Sequence, residues 1–221
     1  MFDYFYNESL RKLVVGFGTL FNSIYVEHAN PDTPAQPIKI RVPITYAPQE
    51  KFIRRLLEPS SIANGTRIET QLPKLSYIMT NIKPDASRRR NKTLPITSGT
   101  ETNGECNSAT DQIFEQVPVN IGFSLFIYTR HIDDTLQIAE QIIPYFNPDH
   151  IIQMDLNSAQ QNIRIPIVML DNNITEKYDG DLSSRRINIS SFSFLAKSYI
   201  YGPVRSITQI TNIGDVVAEE P

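Results

Sequence analysis

Catalysis needs nucleophiles, bases or metal ligands at workable spacing, and such residues are sparse in this chain. The histidines are His28, His131 and His150, with no H-E-x-x-H and no two at metal-ligand spacing. Each reads as an ordinary surface or hydrogen-bonded histidine. His131 lies beside Asp133 and Asp134, a trio that a small hydrolase could use for acid–base work. The two carboxylates are better explained as the start of a helix, where the helix dipole favours negative charge. Cys106 is the one cysteine, in a polar stretch with no His or basic neighbour to generate a thiolate. It supports neither nucleophilic catalysis nor a disulfide, and no cysteine-based zinc site can form. Asp179-Gly180-Asp181 begins like a cation loop but lacks the downstream Glu of an EF-hand, so it reads as a turn. Val15-Gly16-Phe17-Gly18 lies in a helical stripe, and no phosphate-loop, dinucleotide or nucleophile-elbow motif occurs. No catalytic residue, metal or cofactor is expected.

Residues suited to binding are easier to find. Arg88, Arg89, Arg90 and Lys92 make the one dense basic run. It suits an acidic protein surface or, as the alternative function, nucleic-acid phosphates. Arg185 and Arg186 open a long predicted strand, so they point to opposite faces of it. Phe2, Tyr4, Phe5 and Tyr6 crowd the chain start. Four aromatics there expose a large apolar patch unless they dock on their own core or on another subunit. These ten residues are the candidate interface.

The elements that position them follow from periodicity. Leu10, Leu13, Val14, Phe17, Leu20 and Phe21 form one apolar stripe and predict a helix over 7–21, with Asn7 as its N-cap. Gly16 and Gly18 within it weaken the helix, and either permit a close approach to a sheet or are simply tolerated. Strands are predicted at 23–28 and 37–46. The second alternates, with Ile38, Ile40, Val42, Ile44 and Tyr46 on one face, so it reads as half-buried, and Pro43 marks an edge or bulge. A short helix over 48–57 has Phe52, Ile53, Leu56 and Leu57 on its buried side. Strands follow at 66–72 and 74–82. Pattern returns at 113–129, where both faces carry aromatics, as in a central strand. A helix over 133–143 takes Asp133 or Asp134 as N-cap and turns Leu136, Ala139, Ile142 and Ile143 inward. Strands at 151–156, 163–170, 185–201 and 204–213 complete the chain. In the long one the apolar parity switches between Ile189 and Phe192, which suggests a bulge or a strand bend at Ser190-Ser191.

The sum is α+β: a mostly antiparallel, twisted sheet or sandwich flanked by about three helices. The 221 residues read as one domain, with a polar surface excursion over 83–110 and a short acidic tail over 214–221. A net charge of -3 provides no global basic field for DNA or anionic lipid. The chain start lacks the basic and apolar regions of a secretory signal. No apolar run approaches the ~18 residues that span a bilayer.

Five blocks point to a family. They are MFDYFYNESLRK at 1–12, IRVPITYAPQEKF at 40–52, IYTRHIDDTLQIAEQIIPYFNP at 127–148, DGDLSSRRI at 179–187 and YGPV at 201–204. Their content and order resemble the tail sheath stabiliser and completion proteins of T-even-like contractile-tailed bacteriophages. That resemblance implies a non-enzymatic virion protein, assembled in the host bacterial cytoplasm and located in the tail neck. It implies a homohexameric ring that caps the tail through the tail terminator protein. The ring would hold the last ring of tail sheath protein extended and receive the head and neck completion proteins. DNA contact would be confined to the ring channel, and no membrane is involved. It also implies longer C-terminal extensions in some relatives. A closed ring needs two different complementary patches per subunit. The N-terminal aromatics or the basic run are expected to supply one.

Overall fold

The computed structural model describes residues 4–29, 37–51, 53, 72–89, 96–98, 110–113, 116–155, 163–177, 187–202 and 204–207. The chain divides into two compact units. The larger holds Glu8–Lys83 and Val119–Ser198, the smaller Met1–Asn7, Pro84–Pro118 and Tyr199–Pro221.

The described strands are β1 (Tyr25–His28), β2 (Ile38–Arg41), β3 (Ile44–Tyr46), β4 (Lys74–Pro84), β5 (Ile96–Ser98), β6 (Thr110–Ile113), β7 (Val117–Thr129), β8 (His150–Met154), β9 (Ile163–Lys177), β10 (Ile187–Ile200) and β11 (Val204–Ile207). Six of them form one sheet in the order β3-β4-β7-β10-β9-β8. The β3–β4 pair is parallel, while β8–β9 and β9–β10 are antiparallel. Besides helices α1 (Ser9–Leu20) and α2 (Ile132–Ile142), residues 49–51 and 53 are helical, and short 3₁₀ turns lie at Ala86–Arg88 and Ile143–Phe146. The fold class is the expected α+β, with a mixed sheet and small antiparallel sheets.

In the larger unit, α1 packs on the sheet through Phe17, which is fully buried. Its ring stacks on Phe123 of β7 at 4.4 Å and meets Tyr77 of β4 and Phe194 of β10. Burying one such side chain stabilises by roughly 1.5–3 kcal/mol. Leu13 and Phe21 extend this stripe as the periodicity predicts. Gly16 and Gly18 explain the close approach. A Cβ on Gly18 would fall on the Tyr77 hydroxyl, and one on Gly16 would come within 2.7 Å of the Met154 methyl carbon.

The other face of the sheet has a second, smaller core. Tyr128 and Ile189 are buried there, with Phe126, Ile187, Leu72 and Ile53 packed around them. This accounts for the parity switch in β10. Ile187 and Ile189 face this core, whereas Phe192 and Phe194 face α1, and period two puts those sets on opposite sides. The switch therefore needs neither a bulge nor a bend at Ser190-Ser191. The register irregularity lies at Ser193/Phe194, where Met169 and Asp171 of β9 are the partners and Leu170 is left over.

Other expectations are corrected. Asn7 does not cap α1. The N-cap is Glu8, in the left-handed region at φ 54°, without a side-chain cap. Neither Asp133 nor Asp134 caps α2. His131 occupies that position and both acids lie in the first turn. The buried face of α2 is Asp134, Thr135, Ile138, Ala139 and Ile142, leaving Leu136 and Ile143 exposed. A buried hydrogen bond between the Thr129 and Thr135 hydroxyls fixes this rotation by tying α2 to the end of β7. The 37–46 stretch breaks at Val42-Pro43 into β2, exposed along its length, and β3, at the sheet edge. The edge reading of Pro43 holds, and the half-buried reading of Ile38 and Ile40 does not. Strand β9 runs on to Lys177 through a polar second half.

In the smaller unit, β11, β6 and β5 form a three-stranded antiparallel sheet. Thus part of the 83–110 excursion is regular: the end of β4, the 3₁₀ turn and β5. Residues 66–71 of the strand expected over 66–72, residues 52 and 54–57 of the helix expected over 48–57, Cys106, the 179–181 turn and the acidic tail lie outside the described residues.

Candidate interaction surface

The N-terminal segment belongs to the smaller unit, and its last residue is fastened. The Asn7 side-chain amide donates to the Tyr201 carbonyl at 3.2 Å and lies 3.5 Å from that of Gly202. Tyr201 is itself buried and donates its hydroxyl to Gln116 Oε1 at 2.8 Å. Burial, and then the neighbouring Tyr199, push the Tyr201 phenol up to about 12. From this anchored point the preceding residues stand out from the protein. Tyr4 is 95% exposed, Tyr6 62% and Phe5 46%. Self-docking therefore does not cover them.

Of the basic run, Arg88 and Arg89 are described. The Arg88 guanidinium pairs with Asp85 at 2.7 Å and lies over the Tyr199 ring, 5.2 Å from its centroid. Asp85 also accepts from the Ser87 amide and hydroxyl and so starts the 3₁₀ turn. Arg88 therefore serves intramolecular order, which removes one cation from any phosphate-binding patch. Arg89 is exposed. Phe2, Arg90, Lys92, Arg185 and Arg186 lie outside the described residues. The structure thus brings Arg88 to Tyr199 near the end of β10, two positions before the Tyr201 carbonyl that holds Asn7.

In the larger unit, the trio of His131, Asp133 and Asp134 does not assemble. His131 is exposed, and no hydrogen bond joins it to either acid among the described residues. The buried Asp134 instead meets His28 Nε2 at 2.8 Å. His28 also lines an open groove of about 990 Å³ bordered by β1, β2 and α2. Glu27 and Lys39 in its lining pair at 2.8 Å, and the Glu27 hydrogen bond and charge raise the Lys39 ammonium above its ordinary value. Gln137 and Gln141 form the α2 side. Among the described residues no three His, Cys, Asp or Glu side chains cluster as metal ligands. No described helix is long and apolar enough to cross a membrane.

Sequence reasoning missed the Asn7 tether, the His28–Asp134 pair and the two glutamines. The first two join residues about a hundred or more positions apart and leave no local trace. The glutamines do leave one, an i,i+4 spacing on the polar side of a helix.

Among the described residues, exposed aromatics at Tyr4, Phe5 and Tyr6 are the most open apolar side chains of the N-terminal segment. Comparison with known proteins identifies the family. Residues 4–219 match the T4-like virus Myoviridae tail sheath stabiliser family, and the chain belongs to it. It is 32% identical to the tail completion protein gp15 of Enterobacteria phage T4 over 210 residues, 92% of this chain and 74% of that protein. The chain is therefore a structural protein of a contractile phage tail, and a virion component.

Proposed function

We propose that copies of this chain form a closed, homohexameric ring at the head-proximal end of the tail. The ring caps the tail at its terminator protein, holds the last sheath ring extended and receives the neck. DNA passes its channel without being bound by sequence. The role is mechanical and no reaction is catalysed.

The observation that carries this reading is the exposed Tyr4-Phe5-Tyr6 run, tethered at Asn7, in a member of the sheath stabiliser family. An anchored aromatic segment loses little further entropy on docking and supplies large contact area. A neighbouring subunit is the partner assigned to it. Energetically, a ring that binds the extended sheath and not the contracted one stabilises the former by linkage. Six-fold repetition multiplies a modest contact through effective concentration.

Negative-stain imaging of the purified protein, alone and with extended tails, tests the reading. Rings at the head-proximal end are expected. A monomer that never decorates tails would overturn it.

A further inference from the structure

We propose that Gln137 and Gln141 form a surrogate strand that closes the outer edge of β1 against strand addition by a second copy of this chain. Ribbon β1–β2 stands as a separate two-stranded sheet, with Val26 opposite Ile40 and His28 opposite Ile38. Backbone groups of Tyr25 and Glu27 therefore point away from β2, and an unpaired strand edge is a template for another chain. In this structure both residues are satisfied by side chains. Gln141 Oε1 accepts from the Tyr25 amide at 3.2 Å, and its Nε2 donates to the Tyr25 carbonyl at 2.7 Å. Gln137 repeats the pattern on Glu27, at 2.9 and 3.2 Å.

Each carboxamide thus makes the two-way exchange that a residue of a facing antiparallel strand would make. The spacing also fits. Four residues of α-helix advance about 6 Å, and two residues of strand about 6.6–6.8 Å. Only an amide side chain offers donor and acceptor together with this shape. A Glu or Lys supplies one half alone. Gln141 Nε2 also donates to the Gln137 carbonyl at 3.0 Å, which orients it along the helix.

The ribbon needs such a closure. Tyr25, Ile38 and Ile40 are exposed on it, so an edge-paired dimer of ribbons would bury apolar surface as well as backbone. Strand β2 carries Lys39 and Arg41, charges that blunt an edge. Strand β1 carries no Lys, Arg or Pro. Identical β1 edges are self-complementary when antiparallel, so a second copy is the occupant kept out.

The test replaces both amides by side chains of similar length, Gln137→Met with Gln141→Met, and compares sedimentation and amide exchange with the parent. The parent is expected to protect the Tyr25 and Glu27 amides at every concentration. The double variant should lose that protection roughly tenfold when dilute, regain it as concentration rises, and sediment as larger species than the parent. Adding Glu27→Pro removes an edge N–H and should return sedimentation to the parent's. Because the parent's own association state is the baseline, the outcome is independent of ring formation. Free exchange of these amides in the parent overturns the proposal. So does a double variant that exchanges freely yet sediments like the parent at all concentrations.

Discussion

Gly16 and Gly18 show how one residue type makes different demands two positions apart. Both weaken a helix by about 1 kcal/mol relative to Ala. At Gly16 an added methyl meets the flexible end of Met154, which can move. At Gly18 it meets the Tyr77 ring, confined in the aromatic core. Gly16→Ala should thus be neutral or stabilising by up to ~1 kcal/mol, and Gly18→Ala destabilising by about 1–3 kcal/mol. Urea unfolding distinguishes them, and equal effects would refute the packing argument. Glu8 makes the converse case. Its left-handed backbone suits glycine, so Glu8→Gly should stabilise by up to ~1 kcal/mol, read as a higher unfolding midpoint, the exposed Glu8–Arg11 pair counting for little. Tyr201 adds a pH signature. Its phenol, raised from 10 to about 12, stays protonated in the folded protein where the unfolded chain has lost the proton. Its contribution is complete below pH 10 and falls away as pH rises toward 12. Tyr201→Phe should flatten that part of the stability profile relative to the parent. The glycine approach was one of two readings the sequence offered, the other being mere tolerance, and the Tyr77 contact decides between them. The Asn7 tether and Glu8 cap were not legible, because Asn7 fits a cap in isolation and only the distant carbonyls of Tyr201 and Gly202 decide otherwise.

Among the elements, α1 and β7 were legible in kind and in their buried stripes, though β7 begins at Val117 rather than 113 and α1 at Ser9 rather than 7. Each has strong periodicity, and burial follows it. Phe17 lies where α1, β4, β7 and β10 meet, so Phe17→Ala should cost about 3–5 kcal/mol, against under ~1 kcal/mol for Val15→Ala on the exposed side. A small loss at Phe17 in denaturant titration would contradict the assigned core. Helix α2 was placed correctly and rotated wrongly. Hydrophobicity favoured Leu136 over Thr135, but Thr135 has the buried Thr129 hydroxyl as partner and Leu136 has solvent. The β10 parity switch was seen and misassigned. A local rule calls for a bulge or a bend, while the fold supplies apolar surroundings on both faces of the sheet at different points along one strand. For β2, alternation signalled a buried face, yet nothing in the described residues covers Ile38 or Ile40.

For the molecule as a whole, the family was legible because its blocks are dense where the core and the N-terminus are built. Ring formation is a claim about several molecules and belongs to experiment. Substituting Tyr4, Phe5 and Tyr6 by Ser should leave thermal unfolding of the subunit nearly unchanged, since these side chains are exposed. It should shift the mass measured by light scattering toward the monomer. An unchanged assembly would move the interface elsewhere, with Arg89 the next residue to replace. Finally, the chain has ten tyrosines and no tryptophan, so its ultraviolet emission comes from tyrosine alone. Tyr77, Tyr128 and Tyr201 are shielded from a dissolved quencher such as iodide, whereas Tyr4 and Tyr6 are exposed to it, as are Tyr25, Tyr46 and Tyr145, which set a constant background. Covering that chain end must dim the quenching, and the protein thereby carries an unlabelled optical gauge of its own docking.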